Sequence, residues 1–271
     1  MRTSRLGIAV VLGAAIALTG CSAPDTGESD AVTDEPVVIQ VAAVTSPMTD
    51  VVLAAGEAIE DGYEIELVEI SDYITANNVV NDGDVYANFS QHVPYMELFN
   101  EANNGTLTGV QPVYNFDIAF YSKTLDDIAE LPDAATIAVP NDSANLGRAL
   151  KLLDTEGVIT LDEGVDPYAA TVKDIAENPK NVEFLEVPIA SLNAAYEEAD
   201  LVFQWPSHIA ALGLTPEEDG LITETDDRFA LYLVVREENA KSAETEALKK
   251  AFASDEVREV IESNGTIDVA F

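Results

Sequence analysis

The chain is short of cysteine, of positive charge and of histidine, and each shortage narrows what it can do. Cys21 is the one cysteine in 271 residues, so no intrachain disulfide can form. Lys and Arg together number 13 against 50 Asp and Glu, a formal net charge of −37. A chain so acidic offers no basic face to a phosphate backbone, which excludes nucleic acid as a partner. It also does not lie flat on anionic lipid. The excess of acid fits either solubility outside the cell or a salty habitat, and composition alone does not separate the two. Only Arg148, Arg228, Arg236 and Arg258 follow the first five residues. A site for a carboxylate must therefore draw on this small set or on backbone donors. Catalytic signatures are missing too: no G-x-S-x-G, H-E-x-x-H or P-loop occurs, and carboxylates are too abundant for any pair of them to carry information. Nothing in the chain points to an enzyme or calls for a cofactor.

What is present begins at the N-terminus. "MRTSRLGIAVVLGAAIALTGC" opens with Arg2 and Arg5 and runs apolar from Leu6 to Leu18, too short for a membrane span and ending in small residues as a secretory signal does. Leu18-Thr19-Gly20-Cys21 is similar to a bacterial lipobox, in which the cysteine is lipidated and becomes the mature N-terminus. This gives a signal peptide over 1–20 and a lipidated Cys21, and places the protein on the extracytoplasmic face of the cell membrane, held by lipid. The segment 21–36, rich in Ser, Thr, Pro, Asp and Glu and lacking apolar periodicity, is expected to be a disordered acidic tether.

From Val37 onward, short β-branched runs alternate with helical stretches. "VVIQVAAVTS" reads as a buried strand, followed by a helix through Ile59, a turn at Asp61-Gly62 and a strand over 63–70. Similar runs recur at "TGVQPVYNFDIAFYSK", "ATIAVPND", "VEFLEVP", "ADLVFQW" and "FALYLVVRE", with helices expected over 145–156, 189–198 and 241–263. The alternation predicts an α/β protein with mostly parallel sheets, whose ligands bind beyond the carboxyl ends of the strands. Two stretches stand out there. "YANFSQHVPYMELFN" packs His92, Phe89, Tyr95 and Phe99 into one span; it reads as a packed core corner, a metal site using His92 with His208, or a ligand pocket. "IAVPNDSANLGRALKLL" sets Asn145 and Arg148 in the first turns of a helix, where free N–H groups already favour an anion and a guanidinium would add a bidentate carboxylate contact. The same pattern also suits a capped surface helix with a solvated arginine.

Over most of its length beyond Val37 the chain resembles the NlpA/MetQ family of methionine-binding lipoproteins, the substrate-binding components of a bacterial ABC importer. "ISDYITANNVVNDGDVYANFSQHVPYMELFN" and "IAVPNDSANLGRALKLL" carry the resemblance, and "ATVKDIAENPKNVEFLEV" and "YLVVREEN" extend it. The resemblance implies a two-lobed periplasmic-binding-protein fold, with lobe 1 over 37–118 plus 230–271, lobe 2 over 119–229 and the ligand in the cleft between. It implies that Tyr73, Phe89, His92 and Tyr95 enclose a thioether side chain, that Arg148 takes the ligand carboxylate beside Asn145, and that the partners are an amino acid or related carboxylate and a transporter permease. Three departures accompany it. Ser90 stands where the family has a second phenylalanine, and Trp205-Pro206-Ser207-His208 and Leu231 stand where it carries ligand-binding asparagines. Either Ser207, His208 or Gln204 replaces those amides, or the ligand is not free methionine.

Overall fold

The computed structural model describes residues 35–271, which form one compact unit. The signal peptide, Cys21 and the tether up to residue 34 lie outside the described residues. Among the described residues no helix is long and apolar enough to cross a membrane.

Strand β1 (Val37–Ala43) leads into helix α1 (Met48–Ala58), strand β2 (Tyr63–Glu69), helix α2 (Tyr73–Asn81), strand β3 (Ala87–His92) and helix α3 (Val93–Asn103). The single long run seen in the sequence then divides into β4 (Leu107–Phe116) and β5 (Ile118–Tyr121), and the chain changes sheets at Asp117. It continues through β6 (Thr136–Pro140), α4 (Ser143–Thr155), a small ribbon of β7 (Thr160–Leu161) and β8 (Ile175–Glu177), β9 (Glu183–Val187), α5 (Leu192–Ala195) and β10 (Leu201–Gln204). The short helices α6 (Pro206–Ile209) and α7 (Pro216–Asp219) precede β11 (Ile222–Glu224). The chain then returns to the first sheet as β12 (Leu231–Arg236), followed by α8 (Ala243–Phe252), α9 (Asp255–Asn264) and β13 (Ile267–Val269). The helix expected over 241–263 is thus two, because Ser254 caps a new N-terminus with its hydroxyl on the Val257 N–H.

Six strands form the first sheet in the order β13-β4-β12-β3-β1-β2, and five form the second as β11-β5-β10-β6-β9. Both are mixed rather than uniformly parallel. β2, β1 and β3 run parallel, as do β9, β6 and β10, while the strands that carry the chain between sheets pair antiparallel to their neighbours. The two crossings lie side by side: the Thr225 hydroxyl donates to the Asp117 carboxylate, and Asn115 donates to Asp227 at 2.8 Å. The architecture is that of a two-lobed α/β protein with helices flanking each sheet. Its consequence for function is directional. The carboxyl ends of β1, β3, β6, β9 and β10 all feed residues to one cavity between the sheets, as expected of parallel strands.

Candidate functional site

The free space within the cavity is only about 30 Å³, so its walls stand close together and must part to admit a ligand larger than a few water-sized groups. Met48, Phe116, Ile189, Trp205 and Leu231 supply its apolar surface, and Tyr73 and Tyr95 its phenolic rim. Ser90, Gln91, His92, Asn145, Ser207 and His208 supply polar groups. Among the described residues no Asp or Glu lines it.

One wall comes from the first sheet. Asp72 caps α2 by accepting from the Thr75 N–H at 2.8 Å, which fixes Tyr73 at the helix start over the cavity. Beneath it lies a fully buried amide cluster. Asn77 donates to Gln91 at 2.8 Å and accepts from it in return; Asn88 donates to Asn77 at 3.0 Å; the Ser90 hydroxyl and the Gln91 amide both donate to the Asn88 carbonyl oxygen. These bonds lock α2 to β3 and satisfy groups that burial would otherwise leave costly. His92 ends β3 and caps α3: its Nδ1 accepts from the Tyr95 N–H at 3.2 Å. The proton of the neutral ring therefore sits on Nε2, which donates to Asn145 Oδ1 at 3.0 Å. Burial first, and the neighbouring Arg148 cation second, push His92 down to about 3. Burial likewise raises Tyr95, to about 12.

The other wall comes from the second sheet. Asp142 caps α4 through the Asn145 N–H at 2.9 Å and also receives the Asn145 side-chain amide at 3.0 Å, and burial raises its carboxyl above the ordinary value. Gly147 lies where the backbone of Tyr168 crosses the helix: a Cβ there would stand 2.2 Å from the Tyr168 carbonyl oxygen. Arg148 is almost wholly buried. Its Nε donates to Glu224 at 3.0 Å, its guanidinium stacks 4.3 Å from the centre of the Phe229 ring, and its Nη1 has no hydrogen-bond partner among the described residues. At the end of β10, Trp205 packs edge-on against Phe203, and the first turn of α6 brings Ser207 and His208 to the cavity. His208 Nε2 meets the Tyr73 hydroxyl at 2.7 Å, and the buried Ser207 Oγ has no partner among the described residues.

Seven of the residues singled out in the sequence thus share one cavity: Tyr73, His92, Tyr95, Asn145, Trp205, Ser207 and His208. Phe89 is not among them. It packs into the core against Tyr114 and Phe252, 5.4 and 5.3 Å away between ring centres. A bulge explains the divergence. Gln91 and Phe89 pair with consecutive residues of β12, Tyr232 and Leu233, so Ser90 is extra. The side-chain alternation resets there, letting 90, 91 and 92 touch the cavity while Phe89 turns away. Arg148 adjoins the cavity through His92 and Asn145 without lining it. Gln204 is fully buried and spent on Asn193 and the Trp205 N–H, so it does not stand in for a ligand-facing amide. Ser207 and His208 remain in that role. A metal site on His92 and His208 gains no support, since no group of three or more His, Cys, Asp or Glu among the described residues could hold an ion. Met48, Phe116, Ile189 and Gln91 join the lining without a signal in the sequence beyond their position at or just after strand ends, and Glu224 was hidden among fifty acids.

Comparison with known proteins decides the family. The profile of the NlpA lipoprotein family matches residues 39–269. The chain belongs to the NlpA lipoprotein family. It is similar to a probable D-methionine-binding lipoprotein MetQ of Vibrio cholerae serotype O1, 39% identical over 195 residues covering 72% of each chain. The D-methionine-binding lipoprotein MetQ of Escherichia coli K12 is 33% identical over 249 residues, 90% of this chain and 89% of that one. Among solved structures, a nutrient-binding protein from Burkholderia cenocepacia bound to methionine superposes with a TM-score of 0.81 at 31% identity, over 86% of this chain and 100% of that one. Members of the NlpA family therefore share this two-lobed architecture across the region that holds the cavity.

Proposed function

We propose that this chain is the lipid-anchored, extracytoplasmic binding subunit of an ABC importer and captures methionine, or an amino acid close to it, in the interlobe cavity. The reading is carried by one conjunction: a member of a family with methionine-binding relatives has, at the carboxyl ends of both sets of parallel strands, a mainly apolar cavity whose lining includes a few hydrogen-bonding side chains. The apolar lining suits a thioether. Trp205, Phe116 and Tyr73 offer ring faces and edges, with which sulfur makes favourable contacts, and Met48, Ile189 and Leu231 complete the surface. The head group meets Asn145, Ser207 and His208. Arg148, one turn along α4 from Asn145, is the source of positive charge for the carboxylate, and its buried Nη1 is a donor without a partner among the described residues. A charge-assisted bond there is strong because the site is dry.

Thermal-shift titration of the mature domain with L- and D-methionine tests the reading. A binder raises the unfolding midpoint in proportion to the logarithm of ligand excess over Kd. Methionine should produce such a shift, and aspartate or lysine at the same concentration should not. An equal absence of shift with all of them would overturn the assignment. Anchoring is tested separately: Cys21→Ala should move the protein out of the membrane fraction.

A further inference from the structure

Both histidines of the chain stand on this cavity, and each bonds across it to the opposite half of the molecule. His92, at the end of β3 in the first half, reaches Asn145 on α4 in the second at 3.0 Å. His208, on α6 in the second half, meets Tyr73 on α2 in the first at 2.7 Å. The two contacts pin opposite ends of the cavity wall.

His92 has no acceptor for a second ring proton, and His208 is partly buried with no carboxylate beside it among the described residues. For His92, Nδ1 already accepts the Tyr95 N–H at 3.2 Å, so a second proton would set N–H against N–H. The groups facing His92 are Tyr95 of α3, Asn145 and Arg148 of α4, and the Phe229 ring at 5.0 Å. The charged one among them is itself a cation. Asp142 stands behind Asn145 with its oxygens taken by that residue, and Glu224 is spent on Arg148. His208 faces Tyr73 of α2 and Trp205, with Asn193 donating to its carbonyl and Tyr95 beyond Tyr73. Its bond to Tyr73 suits either tautomer, but no carboxylate offsets a buried charge there. Burial holds both rings below the ordinary histidine value.

We infer that the two histidines form a clamp that holds the lobes together only while both imidazoles are neutral, so that ligand capture weakens as the external medium turns acid. The inference rests on the reading that the cavity is the ligand site and that the lobes separate to admit the ligand. The sign follows from linkage. In the open form the rings meet water and titrate near 6.5, whereas in the closed form they resist protonation. The open form therefore binds more protons below that pH, and closure is increasingly opposed as pH falls from about 6.5. His92, titrating near 6.5 when open and about 3 when closed, weakens binding about 30-fold between pH 7.5 and 5.0, and His208 adds to the loss in the same direction.

Two readouts test the clamp. Trp205 is the one tryptophan of the chain, 5% exposed, with its ring centre 6.3 Å from that of His208. Acrylamide quenching of Trp205 in ligand-free protein should therefore rise from pH 7.5 to 5.0 as the cleft opens. Calorimetric titration with L-methionine over the same range should give a Kd that weakens at least about 30-fold, the share of His92, with His208 adding to it. His208→Gln keeps a hydrogen-bonding side chain of similar reach that does not titrate, and should make the pH dependence measurably shallower than in the wild type. A constant Kd across the range, or a His208→Gln protein with the full wild-type pH dependence, overturns the clamp. If L-methionine binds at no pH, the functional assignment fails, and the ligand-free quenching still decides: a flat response overturns the clamp and a rising one sustains it.

Discussion

The two walls of the cavity are built on opposite principles. On the first-sheet wall the polar cluster beside the cavity is paired: Asn77, Asn88, Ser90 and Gln91 bond to one another and to the Ala76 carbonyl, while the unpaired Tyr114 hydroxyl and Asn115 Oδ1 of the same sheet lie outside that cluster. On the second-sheet wall two buried polar atoms, Arg148 Nη1 and Ser207 Oγ, have no partner among the described residues. A saturated network fixes a shape, since each broken bond would leave a buried donor or acceptor unpaired. An unsaturated buried donor is a cost the fold bears without structural return, which is the mark of a group kept for a ligand. Substitutions on the first wall should therefore act on stability, and those on the second on binding.

Asn77→Ala should have the largest effect. It removes bonds to Asn88 and Gln91 and leaves their amides buried, so chemical denaturation should show a loss of about 3 kcal/mol or more, with little change in the methionine Kd of the protein that remains folded. Arg148→Met comes next and reverses the pattern. Calorimetry should find methionine affinity reduced about 10- to 100-fold, the worth of a charge-assisted bond of roughly 1.5–3 kcal/mol, with a smaller loss of stability than in Asn77→Ala because the Glu224 side chain is 21% exposed and can turn to water. Leu231→Asn places an amide among the apolar lining residues and should tighten L-methionine binding by about tenfold if the ligand ammonium lacks a partner, a gain on the order of 1 kcal/mol. Ser207→Ala should be mildest: affinity falls a few-fold, by about 0.5–1.5 kcal/mol, while the unfolding midpoint holds or rises as an unpaired buried hydroxyl disappears. If Ser207→Ala or Arg148→Met instead cost more stability than Asn77→Ala, the contrast between the walls would collapse.

The distribution of what the sequence reveals follows the same division. Tyr73, His92 and Tyr95 are legible because helix starts and caps fix them locally: Asp72 and His92 are N-caps, and the residues after them have little freedom. Asn145 and Arg148 are legible as residues of the first two turns of a helix that follows a strand. The core placement of Phe89 is not legible because all six residues of β3 are buried, so alternation carries no signal, and the bulge at Ser90 exists only through pairing with β12. The same limit hid the sheet change at Asp117: "VYNFDIAFY" is apolar on both sides of it and reads as one strand. Strand direction was equally silent, because a strand buried on both faces looks alike whether parallel or antiparallel to its neighbours. That is why the sheets proved mixed. The pairing of Arg148 with Glu224 spans 76 residues and rests on one acid among fifty, beyond the reach of local pattern.

Isothermal titration of the mature domain with L-methionine, run side by side on the wild type and Arg148→Met at pH 7.5, tests the central claim most directly. The account predicts saturable one-to-one binding by the wild type and an affinity reduced about 10- to 100-fold in the variant. Absence of binding by a folded wild type, or equal affinity in the two proteins, would contradict it.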